Sequence, residues 1–340
     1  MGQARLELTR EQILTFRQRA QALDERLPPG RRSFRRAAWA GLQDSMPRAA
    51  LLSLHARVER IRSTALDDPS LVQIWGPRYS AYVVAARDLA LFTLGRLPEE
   101  RGPRSRAQDL AARLRDALGE ERMRYSDAAA RMGEKHANRL RYAATTGTVV
   151  MRWDGARQPV IWCVPPPEID PRAARLELVR RYLQVFGPAT PETVARWAGI
   201  RPPGATAAFD ALRAELTPVR TPVGEAWILA RDEPGFRAAP ERVAPARLLP
   251  SGDVYYLLQG ADRELLLPEA RQRRALWTSR VWPGAVLVEG ELVGTWRRVQ
   301  EALTIEPWRR LSPVERAAVE AEAASLPLPG IDAVAVRWGR

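Results

Sequence analysis

The sequence predicts an α+β protein in which three tandem winged helix-turn-helix units precede a β-rich C-terminal region. The order helix, helix, helix, β-hairpin occurs three times, although the residues themselves do not repeat. From Arg247 onward, short strand patterns and tight turns replace that order. The chain has 340 residues and is 46% hydrophobic, which leaves room for several packed units.

The first unit is predicted at residues 1–100. Apolar residues at helical spacing favour three helices, at 9–23, 34–42 and 48–61, and Thr9 has the residue type of an N-cap. A hairpin is expected from strands 72–75 and 79–84 around Gly76-Pro77, followed by a helix at 85–94.

The second unit is predicted at residues 101–168, after a polar boundary segment at 98–106. Its helices are expected at 106–118, at 127–132 with Ser126 as the cap, and at 136–145. Strands 148–153 and 159–164 are joined by Asp154-Gly155, a strong hairpin signal.

The third unit is predicted at residues 169–240, and the β-rich region at 241–340. Helices are expected at 172–186, 190–198 and 205–216, and a hairpin from 218–221 to 226–229. In the last region, strands and turns are expected at 248–253, 255–258, 281–288 and 291–296, and a final helix at 313–325.

The charge favours a nucleic-acid partner. Net charge is +13 and Lys135 is the only lysine, so nearly all positive charge is arginine, which binds phosphate bidentately. Genomic composition bias explains arginine in place of lysine, but it does not explain the excess of positive charge. Acidic proteins and anionic membrane surfaces remain alternative partners.

Several function classes lack support. The two histidines, His55 and His136, lie far apart without carboxylates at ligand spacing, so no metal site is expected. No phosphate-binding glycine loop or serine-nucleophile motif occurs, so no nucleotide or other cofactor is expected. Cys163 is the single cysteine, and no apolar run reaches the roughly 18 residues of a membrane span. We therefore expect a cytoplasmic protein.

Gly41-Leu42-Gln43-Asp44-Ser45 places three polar residues between two helical patterns. The simplest interpretation is that Asp44 or Ser45 caps a helix beginning at Pro47, since such side chains accept free amide hydrogens. Basic clusters beside tryptophans are a second candidate feature. Trp296 with Arg297 and Arg298 could hold a DNA backbone beside a stacking face, or form a solvated surface over a buried ring.

Taken together, the motifs resemble the AlkZ/YcaQ superfamily of winged-helix DNA glycosylases over about residues 8–330. The matching features are Gly41-Leu42-Gln43 before Arg48-Ala49-Ala50, Trp75 with Arg78 and Asp88, Arg180-Arg181-Tyr182-Leu183 with Gly187-Pro188-Ala189-Thr190, Arg196-Trp197, Leu248-Leu249-Pro250 with Asp253, and Gly290 with Val293-Gly294-Thr295-Trp296. The resemblance implies a concave, C-shaped DNA-binding surface. It also implies excision of alkylated purines, including crosslinked ones, without metal or cofactor.

The implied catalytic signature is Q-x-Q or Q-x-D, whereas this chain has Gln43-Asp44-Ser45. Ser45 can orient water but is no general base at neutral pH. Asp44 supplies a carboxylate, but it faces away if Gln43 and Ser45 point the same way. In the first wing, Tyr82 stands where related enzymes often have histidine, and it can stack or donate a hydrogen bond.

These features lead us to expect a monofunctional glycosylase that acts on double-stranded DNA as a monomer. Gln43 would position water with help from Asp44 or Ser45, and a lone Lys135 argues against a Schiff-base mechanism. The residues expected to contact DNA are Arg57, Arg78, Tyr82, Trp296, Arg297 and Arg298. The alternative is a winged-helix DNA-binding protein without catalysis, either a regulator or a lesion-recognition module.

Overall fold

The computed structural model describes residues 6–155, 157–238, 245–258, 260–331 and 333–339. In chain order the elements fall into four stretches, at 6–100, 101–168, 169–238 and 245–339. The first stretch contains β1 (Leu6–Glu7), α1 (Arg10–Ala20), α2 (Arg31–Ala37), β2 (Leu42–Gln43), α3 (Ala49–Arg57), β3 (Leu71–Trp75), β4 (Ala81–Ala85) and α4 (Leu89–Thr93). Thr9 caps α1 reciprocally with Gln12, as its residue type predicted. The helix predicted to reach residue 42 is wrong at its end. The helix α2 ends at Ala37 with Ala38 as its C-cap, and Gly41, which adopts φ +75, leads from the following turn into β2.

The second stretch contains α5 (Arg101–Leu118), β5 (Met123–Arg124), α6 (Tyr125–Arg131), a 3-10 helix at Ala137–Thr146, β6 (Val149–Arg152) and β7 (Val160–Cys163). The segment 98–106 was expected to be a boundary, yet α5 begins within it. Pro103 lies in the first turn of α5. Backbone amides in a first turn have no acceptor within the helix, so the missing N–H of proline costs no helical hydrogen bond there. Ser126 lies inside α6 and does not cap it, because the N-cap position is Arg124.

The third stretch contains α7 (Pro171–Phe186), α8 (Pro191–Ala198), α9 (Pro202–Ala211), β8 (Leu216–Thr221), β9 (Gly224–Leu229) and α10 (Glu233–Arg237). Asp170 caps α7 and Thr190 caps α8 through side-chain oxygens, each before a proline in the first turn. The predicted bounds of α7 and α8 are within one residue of the observed ones, whereas the helix predicted at 205–216 is found at Pro202–Ala211 and is followed by a 3-10 turn and β8.

The C-terminal stretch contains β10 (Arg247–Leu249), a 3-10 turn at Val254–Tyr256, α11 (Asp262–Leu266), α12 (Ala270–Leu276), β11 (Gly284–Val288), β12 (Glu291–Val299), β13 (Ala302–Pro307), α13 (Pro313–Ala324) and β14 (Ala335–Trp338). The strand expected at 255–258 is wrong, because Asp253 accepts the Tyr255 amide and starts the 3-10 turn instead. The β10–β14 strands form one sheet in chain order.

One six-stranded sheet combines the first two hairpins, in the order β2-β4-β3-β6-β7-β5. Its two halves meet where Gln73 of β3 pairs with Met151 of β6, and β2 lies at the edge beside β4. The first and third stretches share a hydrophobic core that also includes Tyr256 and Leu287 from the C-terminal stretch. Among the described residues, no helix has the length and apolarity needed to cross a bilayer.

Candidate active site

The polar residues Gln43, Asp44 and Ser45 lie at the edge of the six-stranded sheet. Gln43 is paired with Tyr82 across β2 and β4, and the Asp44 amide donates to the Ala81 carbonyl at 2.8 Å. Side chains alternate along extended backbone, so Gln43 and Ser45 share one side and Asp44 takes the other. A helix end, where the sequence placed these residues, would not separate them in this way.

Gln43 and Ser45 form one polar pair. The Gln43 Nε2 donates to Ser45 Oγ at 3.1 Å, and both side chains are partly exposed. Gln43 Oε1 is buried and has no hydrogen-bond partner in the described part of the chain. Buried carbonyl oxygens are normally paired, so this acceptor is a candidate for binding water or substrate.

Asp44 is buried, with 3% of its surface exposed. Its Oδ1 accepts the Ala50 amide at 3.0 Å, and its Oδ2 accepts the Gln73 Nε2 at 2.5 Å. The first bond satisfies a free amide in the first turn of α3, but Asp44 is not the N-cap that was predicted, because α3 begins at Ala49 and its N-cap position is Arg48. Burial raises the pKa of Asp44 to about 6, partly offset by these two bonds and by the charge of Arg152.

Gln73 is a site residue that the sequence reasoning missed. Its Oε1 accepts the Trp153 amide at 2.5 Å, so one side chain connects Asp44 to the second hairpin. Gln73 is buried among the apolar residues of β3. A glutamine inside the run Leu-Val-Gln-Ile-Trp was the available signal, because buried amides need polar partners.

A tight turn at residues 250–253 packs against Gln43. Gly252 adopts φ +74, and a Cβ built on it would lie 3.4 Å from Gln43 Cδ. The next residue, Asp253, accepts hydrogen bonds from Arg57 Nη1 at 2.8 Å, from Arg57 Nη2 at 2.7 Å and from Ser53 Oγ at 2.6 Å. These bonds join the turn to α3.

Three residues that were predicted to contact DNA are buried in this structure, namely Arg57, Tyr82 and Trp296. Arg57 and Tyr82 are each 0% exposed, since Arg57 is ion-paired with Asp253 and the Tyr82 ring fills space left by Gly41 and Gly76. Trp296 is 6% exposed, and its Nε1 donates to the Leu249 carbonyl at 2.9 Å. Burial raises the pKa of Tyr82 to about 12, so it does not replace a titrating imidazole.

The other predicted DNA contacts lie at or near the surface. Arg297 is exposed, while Arg298 and Arg78 are partly exposed. Burial and the charge of exposed Arg48 lower the pKa of Arg298. Arg48 is the residue immediately before α3, so positive charge extends from β12 to the chain that follows Ser45.

An open pocket of about 570 Å³ lies beside Ser45. Both hairpins of the six-stranded sheet supply its walls, which consist of Ser45, Trp75, Ala81, Met151, Trp153, Gly155, Arg157, Gln158 and Pro159. The pocket is larger than a nucleobase, and its tryptophans are residues on which bases stack.

The histidines stand apart from this site. His55 is buried beside Glu322 and Ser325, and burial lowers its pKa to about 3, so it is neutral near pH 7. Across the ranges that the structure describes, no three His, Cys, Asp or Glu side chains are grouped closely enough to hold a metal ion.

Comparisons with known proteins agree with one another. A family model described as DNA glycosylase AlkZ-like matches residues 35–327. An interstrand DNA cross-link repair glycosylase of Streptomyces sahachiroi is 33% identical over 162 residues, which is 46% of this chain and 42% of that protein. The solved structure of Streptomyces sahachiroi DNA glycosylase AlkZ superposes with a TM-score of 0.79 at 20% identity, covering 98% of this chain and 100% of that one.

Proposed function

The chain belongs to the AlkZ-like DNA glycosylase family, and on that basis we propose that it is a monofunctional DNA glycosylase acting on alkylated purines. The observation that carries this proposal is the Gln43–Ser45 pair. It joins a buried amide oxygen, which has no hydrogen-bond partner among the described residues, to the rim of a pocket large enough for a nucleobase.

Water would attack the sugar carbon as its bond to the purine breaks. Alkylation on a ring nitrogen makes the purine a cation, so it departs as a neutral base with the bonding electron pair. The transition state then carries positive charge on the sugar, and an amide oxygen and a hydroxyl can orient water toward that carbon. In our proposal, Gln43 and Ser45 perform this step and the water releases a proton to solvent.

Asp44 assists without touching the water. Its carboxylate is committed to Ala50 and Gln73, but its charge lies one residue from both members of the pair. In a buried environment that charge favours positive charge on the sugar. Because its pKa is about 6, Asp44 is mostly ionised at pH 7 and above.

Double-stranded DNA is the proposed partner of a monomeric protein, held through its phosphates by Arg78, Arg297 and Arg298. Arg48 adds a fourth guanidinium close to the candidate site. Such contacts give salt-dependent affinity without sequence preference. Because the Streptomyces sahachiroi relative is an interstrand DNA cross-link repair glycosylase, we extend the proposed substrates to crosslinked purines.

Base release from defined duplexes tests this proposal. Duplexes containing 7-methylguanine or a nitrogen-mustard crosslink should yield abasic sites under single-turnover conditions. Gln43→Ala should slow release by about 100-fold or more, the range seen when a transition-state hydrogen-bonding group is removed. Gln108→Ala is the matched control, because Gln108 is exposed on α5 and distant in sequence from the site.

Two other results would contradict the proposal, in part or as a whole. If wild-type protein releases no base but binds DNA with a steep salt dependence, the protein is a DNA-binding module without catalysis, either a regulator or a lesion-recognition module. If it binds no duplex at modest salt, both the catalytic and the DNA-binding assignments fail.

A further inference from the structure

We propose that the turn at residues 250–253 is a positioning element that holds the Gln43 amide, with Gly252 as the contacting residue and Asp253 as the anchor. The inference rests on the proposed function, because it assigns the turn a role in the step that Gln43 performs. It adds three positioning residues that do not touch substrate, namely Gly252, Asp253 and Tyr256.

Gly252 packs its backbone directly against the amide. A Cβ at this position would lie 3.4 Å from Gln43 Cδ and 3.6 Å from each amide heteroatom. Its φ of +74 also lies in the region that favours glycine. A side chain here would therefore strain the turn, and its Cβ would come into van der Waals contact with the amide, so that any relaxation of the strained turn is passed on to Gln43.

Asp253 fixes the turn to α3. Four hydrogen bonds reach its carboxylate, from both terminal nitrogens of Arg57, from Ser53 Oγ, and from the Tyr255 amide at 2.9 Å. Both members of the Arg57–Asp253 pair are 0% exposed. A buried ion pair adds little net stability compared with apolar packing, but its geometry is restrictive, and here it fixes the turn.

Tyr256 fixes the turn from the opposite side. Its buried hydroxyl accepts the Gly252 amide at 3.0 Å and lies 2.5 Å from the Pro250 carbonyl and 3.0 Å from the Pro283 carbonyl. The hydroxyl therefore ties the backbone next to Gln43 to the chain that leads into β11.

One helix connects the turn to the catalytic segment. Near its start, α3 donates the Ala50 amide to Asp44, and farther along it holds Asp253 through Ser53 and Arg57. The positions of Gln43 and Gly252 are thus both set relative to α3. In this arrangement, the buried Arg57–Asp253 ion pair fixes the geometry around Gln43 and Ser45, the proposed catalytic residues, which are themselves neutral.

Gly252→Ala tests the contact, with Gly133→Ala as the matched control. Gly133 has φ +69, and in the described part of the chain no atom lies within 4 Å of where its Cβ would stand, so it shares the backbone strain without the contact. Both variants should lose similar stability, whereas Gly252→Ala alone should lower kcat about tenfold with KM unchanged. In a Gln43→Ala background, Gly252→Ala should have no further effect on kcat.

The side-chain amide signals of Gln43 in ¹⁵N NMR give a readout that does not depend on activity. Gly252→Ala and Tyr256→Phe should shift them, and Gly133→Ala should not. Unshifted signals, or wild-type kcat in Gly252→Ala while Gln43→Ala is inactive, overturn the positioning role and leave the proposed function intact. If Gln43→Ala keeps the wild-type rate, the proposed role of Gln43 fails, and the positioning inference fails with it.

Discussion

Asp44 and Asp253 are two buried carboxylates that bind the same helix in different ways. Asp253 pairs with the buried guanidinium of Arg57, whereas Asp44 accepts only neutral donors, the Ala50 amide and the Gln73 side chain. Burial raises the pKa of Asp44 to about 6, and Arg152, the cation whose charge lowers this pKa, is exposed. The comparison teaches that a buried acid paired with a cation can fix the geometry of a turn, while the burial of Asp44 among neutral donors brings its pKa close to neutral pH.

The largest loss of stability should follow from substituting Asp253, the carboxylate that is paired with a cation. Asp253→Asn leaves Arg57 charged and buried without a counter-ion, so we expect the free energy of unfolding to fall by about 3–5 kcal/mol. Urea denaturation at pH 7 measures this. A loss below about 1 kcal/mol would show that water reaches Arg57 and that the pair is not a fixed anchor.

Gln73→Leu should have the next largest effect, because it removes a donor from Asp44 and leaves the Trp153 amide without its acceptor. We expect a loss of about 1–3 kcal/mol in unfolding free energy, the range for buried unsatisfied groups. The pKa of Asp44 should also rise further, which NMR titration of its carboxyl carbon would detect. An unchanged midpoint would mean that the Gln73 bond does not stabilise the ionised form.

Asp44→Asn should remove a pH dependence of stability. The folded pKa of Asp44 is raised, so the folded state binds a proton more tightly than the unfolded state. Its contribution is therefore greatest at low pH and is lost as pH rises through about 6. Between pH 5 and pH 8, wild-type protein should lose about 1.4 kcal/mol relative to Asp44→Asn. Parallel curves for the two proteins would contradict the raised pKa.

The smallest effect should come from an exposed pair, Arg131 and Glu121. Their side chains are 45% and 62% exposed at an N–O distance of 3.2 Å. Glu121→Gln should change unfolding free energy by no more than about 0.5 kcal/mol, because solvent screens such pairs. A larger change would show that the exposure of an ion pair does not by itself determine how much the pair contributes to the stability of this protein.

Local signals predicted much of the fold, and non-local contacts explain the errors. The caps Thr9, Asp170 and Thr190 lie next to the helices they begin, so those helices were predictable. The two-residue strand β2 is held by its pairing with β4, which lies about 40 residues farther along the chain. Local sequence patterns do not contain this contact, so the sequence suggested a helix at this position. Tyr255 and Tyr256 are apolar enough to suggest a strand, but Asp253 turns that segment into a 3-10 helix.

The candidate site shows the same division. The sequence singled out Gln43, Asp44 and Ser45 as candidate site residues, and their roles remain predictions. Residue type suggested that Arg57 binds phosphate, but its partner Asp253 is 196 positions away and buries it. Arginine count alone cannot distinguish an internal counter-ion from a surface contact, because the difference depends on which acid lies opposite.

The pairing of Gln73 with Met151 joins two hairpins that together enclose the pocket beside Ser45. Trp75 and Ala81 form part of the wall from one hairpin, and Met151, Trp153 and Pro159 form part from the other. A change in the angle between the hairpins would therefore change the width of the opening. Under the proposed function, a substitution at this joint would alter the space available to the base without altering Gln43 or Ser45.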